Sequence, residues 1–261
     1  MISSNFLILC LATAASAVPA LMSRSGEADE FTVLPSLKTG EFLVNNENGW
    51  EVISSDAYAA MLKAENITIG RPPIDHDLMK IDDDEEDVNG TDTSLAKRQC
   101  SVTAMLITRT DRFSDWDMQM SPIVSARNRD ATISVTQTYT VTDTLTVSGS
   151  FSPTVITNWL TGQVGASVSR SWATATAITV GGTVASGNTG AMVVNAWKTR
   201  RYGEVRQGCI GSQRVVATFM SDTYESGAYR GVSWIRGPIS LCERPGFLNR
   251  VPRCQGGGFL E

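Results

Sequence analysis

The sequence predicts an all-β protein: an elongated β-sandwich or twisted sheet, stabilised by disulfides, with long Thr/Ser-rich strands and one short helix, preceded by a small acidic pro-segment. Three observations carry this reading. Residues 131 to 181 alternate hydroxylated with apolar side chains, the period-two mark of a strand with one buried face. The dibasic pair Lys97-Arg98 follows the acidic run Asp82-Asp83-Asp84-Glu85-Glu86-Asp87 and separates two parts of opposite charge. Four of the five cysteines, Cys100, Cys209, Cys242 and Cys254, lie beyond that pair.

The chain opens with a short apolar run, Phe6 to Leu11, followed by Ala15-Ser16-Ala17, the small-x-small pattern that a signal peptidase reads. Residues 1–17 are therefore expected to be a signal peptide cut after Ala17. The run is too short to span a bilayer as a helix, and no later stretch reaches the roughly 20 apolar residues that one needs. Residues 18–98 carry 17 acidic and 7 basic side chains, whereas residues 99–261 carry 10 acidic and 15 basic. The net charge of −5 describes neither part. A kexin-type protease is expected to cut after Arg98, leaving 99–261 as the mature domain.

Within the pro-segment, Phe31 to Leu34, Phe42 to Val44 and Trp50 to Ile53 read as short strands, and Ser55-Asp56 opens a helical turn through Leu62. Asn66-Ile67-Thr68 and Asn89-Gly90-Thr91 are glycosylation sequons. Residues 82–98 form an acidic linker with almost no apolar content, the composition of a disordered, protease-accessible stretch. Two roles stay open for this segment: a solvated spacer, or an acidic cover over the arginine-rich surface beyond it.

In the β domain, Ile133, Val135, Tyr139, Val141, Leu145 and Val147 share one face, with threonines on the other. Val164, Ala166, Val168, Trp172, Ile178 and Val180 repeat the pattern. Each stretch of some 16 residues could reach about 50 Å at ~3.3 Å per residue. Strands of that length are either bent between two sheets or part of an elongated body. Between them, Ser152 caps a helix, Pro153 takes its first position and Gly162 stops it, with Val155, Ile156, Trp159 and Leu160 on one side. Asp143 and Arg170 are the only charges from 131 to 181. Such alternation suits either a secreted sandwich or a stored transmembrane hairpin.

An oxidising compartment favours two disulfides over a metal site, since no Cys-x-x-Cys pair exists and the lone histidine, His76, lies before the dibasic pair. Gln213 to Met220 and Ala228 to Arg236 read as a hairpin that sets Cys209 opposite Cys242 and leaves Cys100 for Cys254. Lacking a mature histidine, the domain has no Ser-His-Asp or Cys-His arrangement. Asp111, Asp115 and Asp117 lie around Trp116; on a strand Asp115 and Asp117 would share a face, close enough for acid/base roles or a calcium ion, and with Trp116 and Trp159 they are candidate binding residues. Lys198-Thr199-Arg200-Arg201 is the one dense basic cluster. It reads as a solvated strand end, with Arg200 and Arg201 as candidate anion contacts. No cofactor, metal or nucleic-acid motif is expected.

The residues Phe113-Ser114-Asp115-Trp116-Asp117-Met118-Gln119-Met120-Ser121-Pro122, Ser169-Arg170-Ser171-Trp172, Thr199-Arg200-Arg201, Gly208-Cys209, Gly231-Val232-Ser233-Trp234 and Arg253-Cys254 resemble a family of secreted fungal candidate effector-like proteins, the Celp-type. The resemblance covers most of 100–256. It implies a secreted fungal protein acting outside the cell or on a host, and it supplies no catalytic residues. Its relatives often carry further cysteines near Ser125 and Thr189, so it implies that one disulfide is lost here. The functional expectation is a secreted, non-enzymatic protein that binds an extracellular or host protein or carbohydrate. The alternative is a membrane-permeabilising, aerolysin-style β protein; a hydrolase is the third reading.

Overall fold

The computed structural model describes residues 36–46, 49–81, 102–135, 140–165, 171–173, 180–229 and 232–260, all within one compact unit. In chain order the elements are β1 (Glu41–Asn46), β2 (Gly49–Ser54), α1 (Ser55–Ala64), β3 (Ile67–Ile69), β4 (Val102–Ser114), β5 (Met118–Gln119), β6 (Val124–Ser125), β7 (Ala131–Ser134), β8 (Thr140–Thr142) and β9 (Thr144–Gly149). There follow α2 (Pro153–Val164), β10 (Ser171–Ala173), β11 (Gly181–Val184), β12 (Asn188–Val194), β13 (Trp197–Gly208), β14 (Arg214–Tyr224), β15 (Ser226–Tyr229), β16 (Val232–Ile235) and β17 (Ile239–Pro245). The expected strand at Phe31 to Leu34 lies outside the described residues, as do Ala17, Asn89, Lys97, Arg98 and Cys100.

The fold is all-β, as the alternation predicts, with two main sheets. A five-stranded sheet has the order β3-β4-β13-β14-β9, and a six-stranded sheet the order β2-β1-β17-β12-β5 with β6 also on β12. Three two-stranded ribbons, β7 with β11, β8 with β10 and β15 with β16, complete it. The longest strands are β4, β13 and β14, of 13, 12 and 11 residues. The long Thr-rich stretches are instead divided among ribbons and a sheet edge. In the first stretch the described apolar residues are distributed over separate cores, Ile133 in one, Val141 in another and Leu145 with Val147 in a third.

One core joins Ile133 and Val180 to Leu37, Leu43, Met192 and Leu241. A second sets Ile156 and Leu160 of α2 against Val205, Ala217 and Phe219. Phe219 faces Gly203 across the β13/β14 pair; a Cβ at Gly203 would stand 2.2 Å from the Phe219 ring, so only glycine leaves room for it. A third core holds Val44, Tyr58, Leu62, Ile67 and Trp197. Here Ser54 caps α1 through the Ala57 N–H, and Leu62 and Tyr58 are its buried stripe.

The residues upstream of the dibasic pair thus belong to both sheets. β1 pairs with β17, and β3 runs parallel to β4. Their buried side chains, Leu37, Leu43, Tyr58 and Leu62, are core residues.

The expected hairpin is overturned. β14 pairs with β13, while the later stretch folds on itself as β15 and β16. The tight turn after Gly208 makes the nearer strand the partner. Cys242 therefore sits on β17 in the other sheet, and its disulfide is to Cys254, twelve residues on. The pairings Cys209 to Cys242 and Cys100 to Cys254 are thereby excluded. Cys209 is itself disulfide-bonded.

Candidate functional site

Residues 131–184 form the segment with the most unusual chemistry. β7 and β11 pair Ala131 with Val184 through Ser134 with Gly181, and β8 and β10 pair Thr140 with Ala173, Val141 with Trp172 and Thr142 with Ser171. The segment therefore leaves and returns as two antiparallel legs. Ile133 and Val141 are buried, Leu145 and Val147 are half-buried, and Thr132, Thr142, Thr144 and Thr146 are exposed. The alternation reads on the surface as the sequence predicts. Between β8 and β9 the buried Asp143 carboxylate accepts the Tyr224 N–H at 2.7 Å, fixing the point where the leg leaves its ribbon for the edge of β14. Sequence reasoning counted Asp143 as a rare charge but did not find this contact.

Beyond β9, α2 starts at Pro153 and ends at Gly165 in the left-handed region, φ 65°. It runs past Gly162 and stops where Gly165 takes the left-handed conformation. Ile156 and Leu160 are fully buried, whereas Val155 is 45% exposed, so the expected stripe is narrower. Trp159 is half-buried and meets Phe219 edge to face with centroids 6.2 Å apart. Among the described residues no helix is long and apolar enough to cross a membrane.

Asp115, Trp116 and Asp117 follow β4 outside any strand, and the two carboxylates do not converge on a shared face. The Asp115 carboxylate pairs with Lys198 at 2.8 Å and Arg71 at 3.0 Å. Burial alone would raise its pKa, but the two cations outweigh burial and hold it below the usual carboxylate range. Asp117 accepts from the Asn195 amide and from the Cys254 and Gln255 N–H groups. Burial wins there and pushes its pKa up, despite those donors. The two sulfurs near Asp117 are joined to each other and offer no thiolate. Trp116 is 39% exposed, with the Arg71 guanidinium 5.4 Å and the Arg253 guanidinium 6.0 Å from its ring. These residues fasten the C-terminal segment and Arg71 to the end of β4.

The basic cluster is not solvated. Lys198 and Arg200 are 5% and 1% exposed. Arg200 forms a two-pronged pair with Asp222, at 2.7 and 2.8 Å, directly across β13 and β14. Arg201 is half-buried and donates to Thr223 Oγ1 at 2.8 Å; burial lowers its pKa. Asp222 was missed because the expected hairpin joins this stretch to the later one; only its pairing with β13 sets Asp222 opposite Arg200. Asn66 is exposed, in a left-handed turn at φ 54° after α1.

No family model matches the chain, and no curated protein matches it. Among solved structures, the chain is similar to a candidate pore-forming toxin from Bacteroides vulgatus ATCC 8482, with 13% identity, a TM-score of 0.23 and coverage of 57% of this chain. The match spans about half of that protein, 54% of its length. A likeness at that TM-score carries no argument about fold or activity.

Proposed function

We propose that this is a secreted precursor whose β domain permeabilises membranes, with residues 131–184 opening into a transmembrane β-hairpin. The observation that supports it most is the register of β8 on β10. Continued along the sequence, that register sets Leu145 opposite Val168, Val147 opposite Ala166 and Gly149 opposite Val164, all on the face of Val141 and Trp172. The other face then holds Thr142 with Ser171, Thr144 with Ser169 and Thr146 with Ser167. The two charges, Asp143 and Arg170, also fall on the apolar face, opposite each other, where they form a single neutralising pair. β7 and β11 pair two residues out of that register, a shift that keeps every side chain on its face. A face apolar but for that one ion pair, a small hydroxylated face and legs longer than about 10 residues support a bilayer-spanning hairpin.

Export is supported by the leader pattern, by the Cys242–Cys254 disulfide and by the exposed sequon at Asn66. The resemblance to secreted fungal effector-like proteins fits a host membrane as the target. A binding role without insertion is the second reading. It is favoured by exposed aromatic rings that each carry an arginine: Phe247 with Arg127 at 5.3 Å and Phe259 with Arg250 at 4.5 Å. The hydrolase reading is not advanced, because Asp111, Asp115 and Asp117 are all engaged in ion pairs or hydrogen bonds.

Val164→Arg separates the two readings. Val164 is 37% exposed at the end of α2, where a cation complements the helix dipole, so the melting temperature should hold. In the hairpin register Val164 is the apolar-face residue nearest the tip, which has to cross the bilayer as the hairpin inserts, and an arginine passing the midplane costs about 2–4 kcal/mol. The processed wild type should therefore release dye from liposomes faster than the variant. Wild type without release at any lipid composition would leave binding as the function.

A further inference from the structure

We propose that the face of the five-stranded sheet built by Arg109, Arg200, Tyr202 and Thr218 is a peptide-docking groove. Its occupant is residues 71–81 of this same chain. After scission at Arg98 the upstream residues stay bound there as a separate, non-covalent subunit.

The groove takes hold of backbone. Arg200 Nη1 donates to the Pro72 carbonyl at 2.8 Å and to the Pro73 carbonyl at 3.4 Å. The Tyr202 hydroxyl accepts the Asp75 N–H at 2.9 Å. Thr218 Oγ1 donates to the Met79 carbonyl at 2.9 Å. Pro72 and Pro73 carry no N–H and favour an extended course, so their carbonyls are left for the guanidinium. A side-chain pair adds selectivity: Arg109 meets Asp75 at 2.8 Å.

The depth of the groove side chains argues for a permanent occupant. Arg200, Tyr202 and Thr218 are 1%, 0% and 4% exposed, although they lie on a sheet face. Arg200 and Tyr202 are among the largest fully buried side chains described. At the far end of the segment, Ile81 lies over Gly149, where an added Cβ would come within 2.7 Å of its Cδ1. The bound segment thus ends on β9, part of the stretch that the hairpin reading mobilises. Upstream, β3 lies parallel on β4 and Leu37 and Leu43 are in the six-stranded core. A cut in the stretch between Ile81 and Val102 therefore breaks a covalent link while leaving these contacts in place.

The inference rests on the precursor reading for its setting, but its test installs the cut. A site-specific protease sequence replacing residues 90–96 allows complete cleavage of the full chain, with intact masses confirming it. Native mass spectrometry and gel filtration at physiological salt should then find both chains together at one to one. Free elution of the upstream chain would overturn the proposal. Arg71→Ala with Asp75→Ala should weaken retention on the order of ten-fold, most visibly at low salt, where the wild-type ion pairs are least screened; retention equal to wild type would also overturn it. Neither readout involves lipid, so failure of the groove and failure of membrane permeabilisation are seen separately.

Discussion

The two faces of the five-stranded sheet are covered by different physics. On one, Arg200, Tyr202 and Thr218 take the backbone of residues 72–79 through directional hydrogen bonds. On the other, Val205, Ala217 and Phe219 take α2 through apolar contact alone. Adjacent residues such as Thr218 and Phe219 serve opposite faces because strand side chains alternate. The polar grip responds to salt and pH and depends on geometry, whereas the apolar grip is roughly proportional to area and nearly blind to salt. A chain that must keep one cover and release another gains from holding them by unlike forces.

The polar face should show the largest single effect. Arg200→Met strands the Asp222 carboxylate in a buried site, and removing one partner of such a pair costs about 3–5 kcal/mol. Denaturant unfolding at neutral pH should report that loss, and adding Asp222→Leu should recover most of it. A loss below about 1 kcal/mol would mean that solvent reaches Asp222 and that the grip is weaker than its distances imply.

The apolar face is probed by two neighbours on α2. Leu160 is fully buried, so Leu160→Ala should cost about 2–5 kcal/mol. Trp159 belongs to the expected apolar side of this helix, but it is half-buried and meets Phe219 edge to face. Trp159→Ala should therefore cost about 1–2 kcal/mol, less than a core aromatic. Thermal unfolding in low and high salt should give the same difference for both variants. A salt-dependent difference would show that the helix is held by more than apolar contact.

These contrasts also mark what the sequence could disclose. The alternation of Ile133, Val141 and Leu145 with threonines and the Ser152-Pro153 start of α2 are local signals, and local physics decides them; the helix expected at Ser55-Asp56 is there too, although its cap is Ser54, one residue earlier. The Cys242–Cys254 disulfide depends on which strand β14 chooses, and two hairpins of similar quality compete for it. The Arg200–Asp222 pair is hidden for the same reason, since burial of a basic cluster follows from a segment more than 100 residues upstream. Ser125 and Thr189 do meet across β6 and β12, their hydroxyls 2.8 Å apart. These are the positions where the resemblance implies a lost disulfide.

The smallest effect sharpens the comparison through pH. Arg71 is 45% exposed on its side chain, while Asp115 is 4% exposed, so the pair should contribute no more than about 1 kcal/mol. Its sign is fixed by the Asp115 pKa, which the cations depress in the folded state. A depressed carboxylate contributes stability that is fully present above its unfolded value of about 3.9 and is lost as pH falls through the folded value. Arg71→Ala should therefore lower the melting temperature slightly from pH 5 to pH 8. Wild type and variant should converge only as pH falls through the depressed folded value of Asp115 and its carboxyl becomes protonated. Arg71 also lies over Trp116, and any cation–π share of its effect would persist in acid. A gap that persists after the Asp115 carboxyl has titrated, followed directly by its NMR carboxyl shift, would assign the contribution of Arg71 to that ring instead of to Asp115.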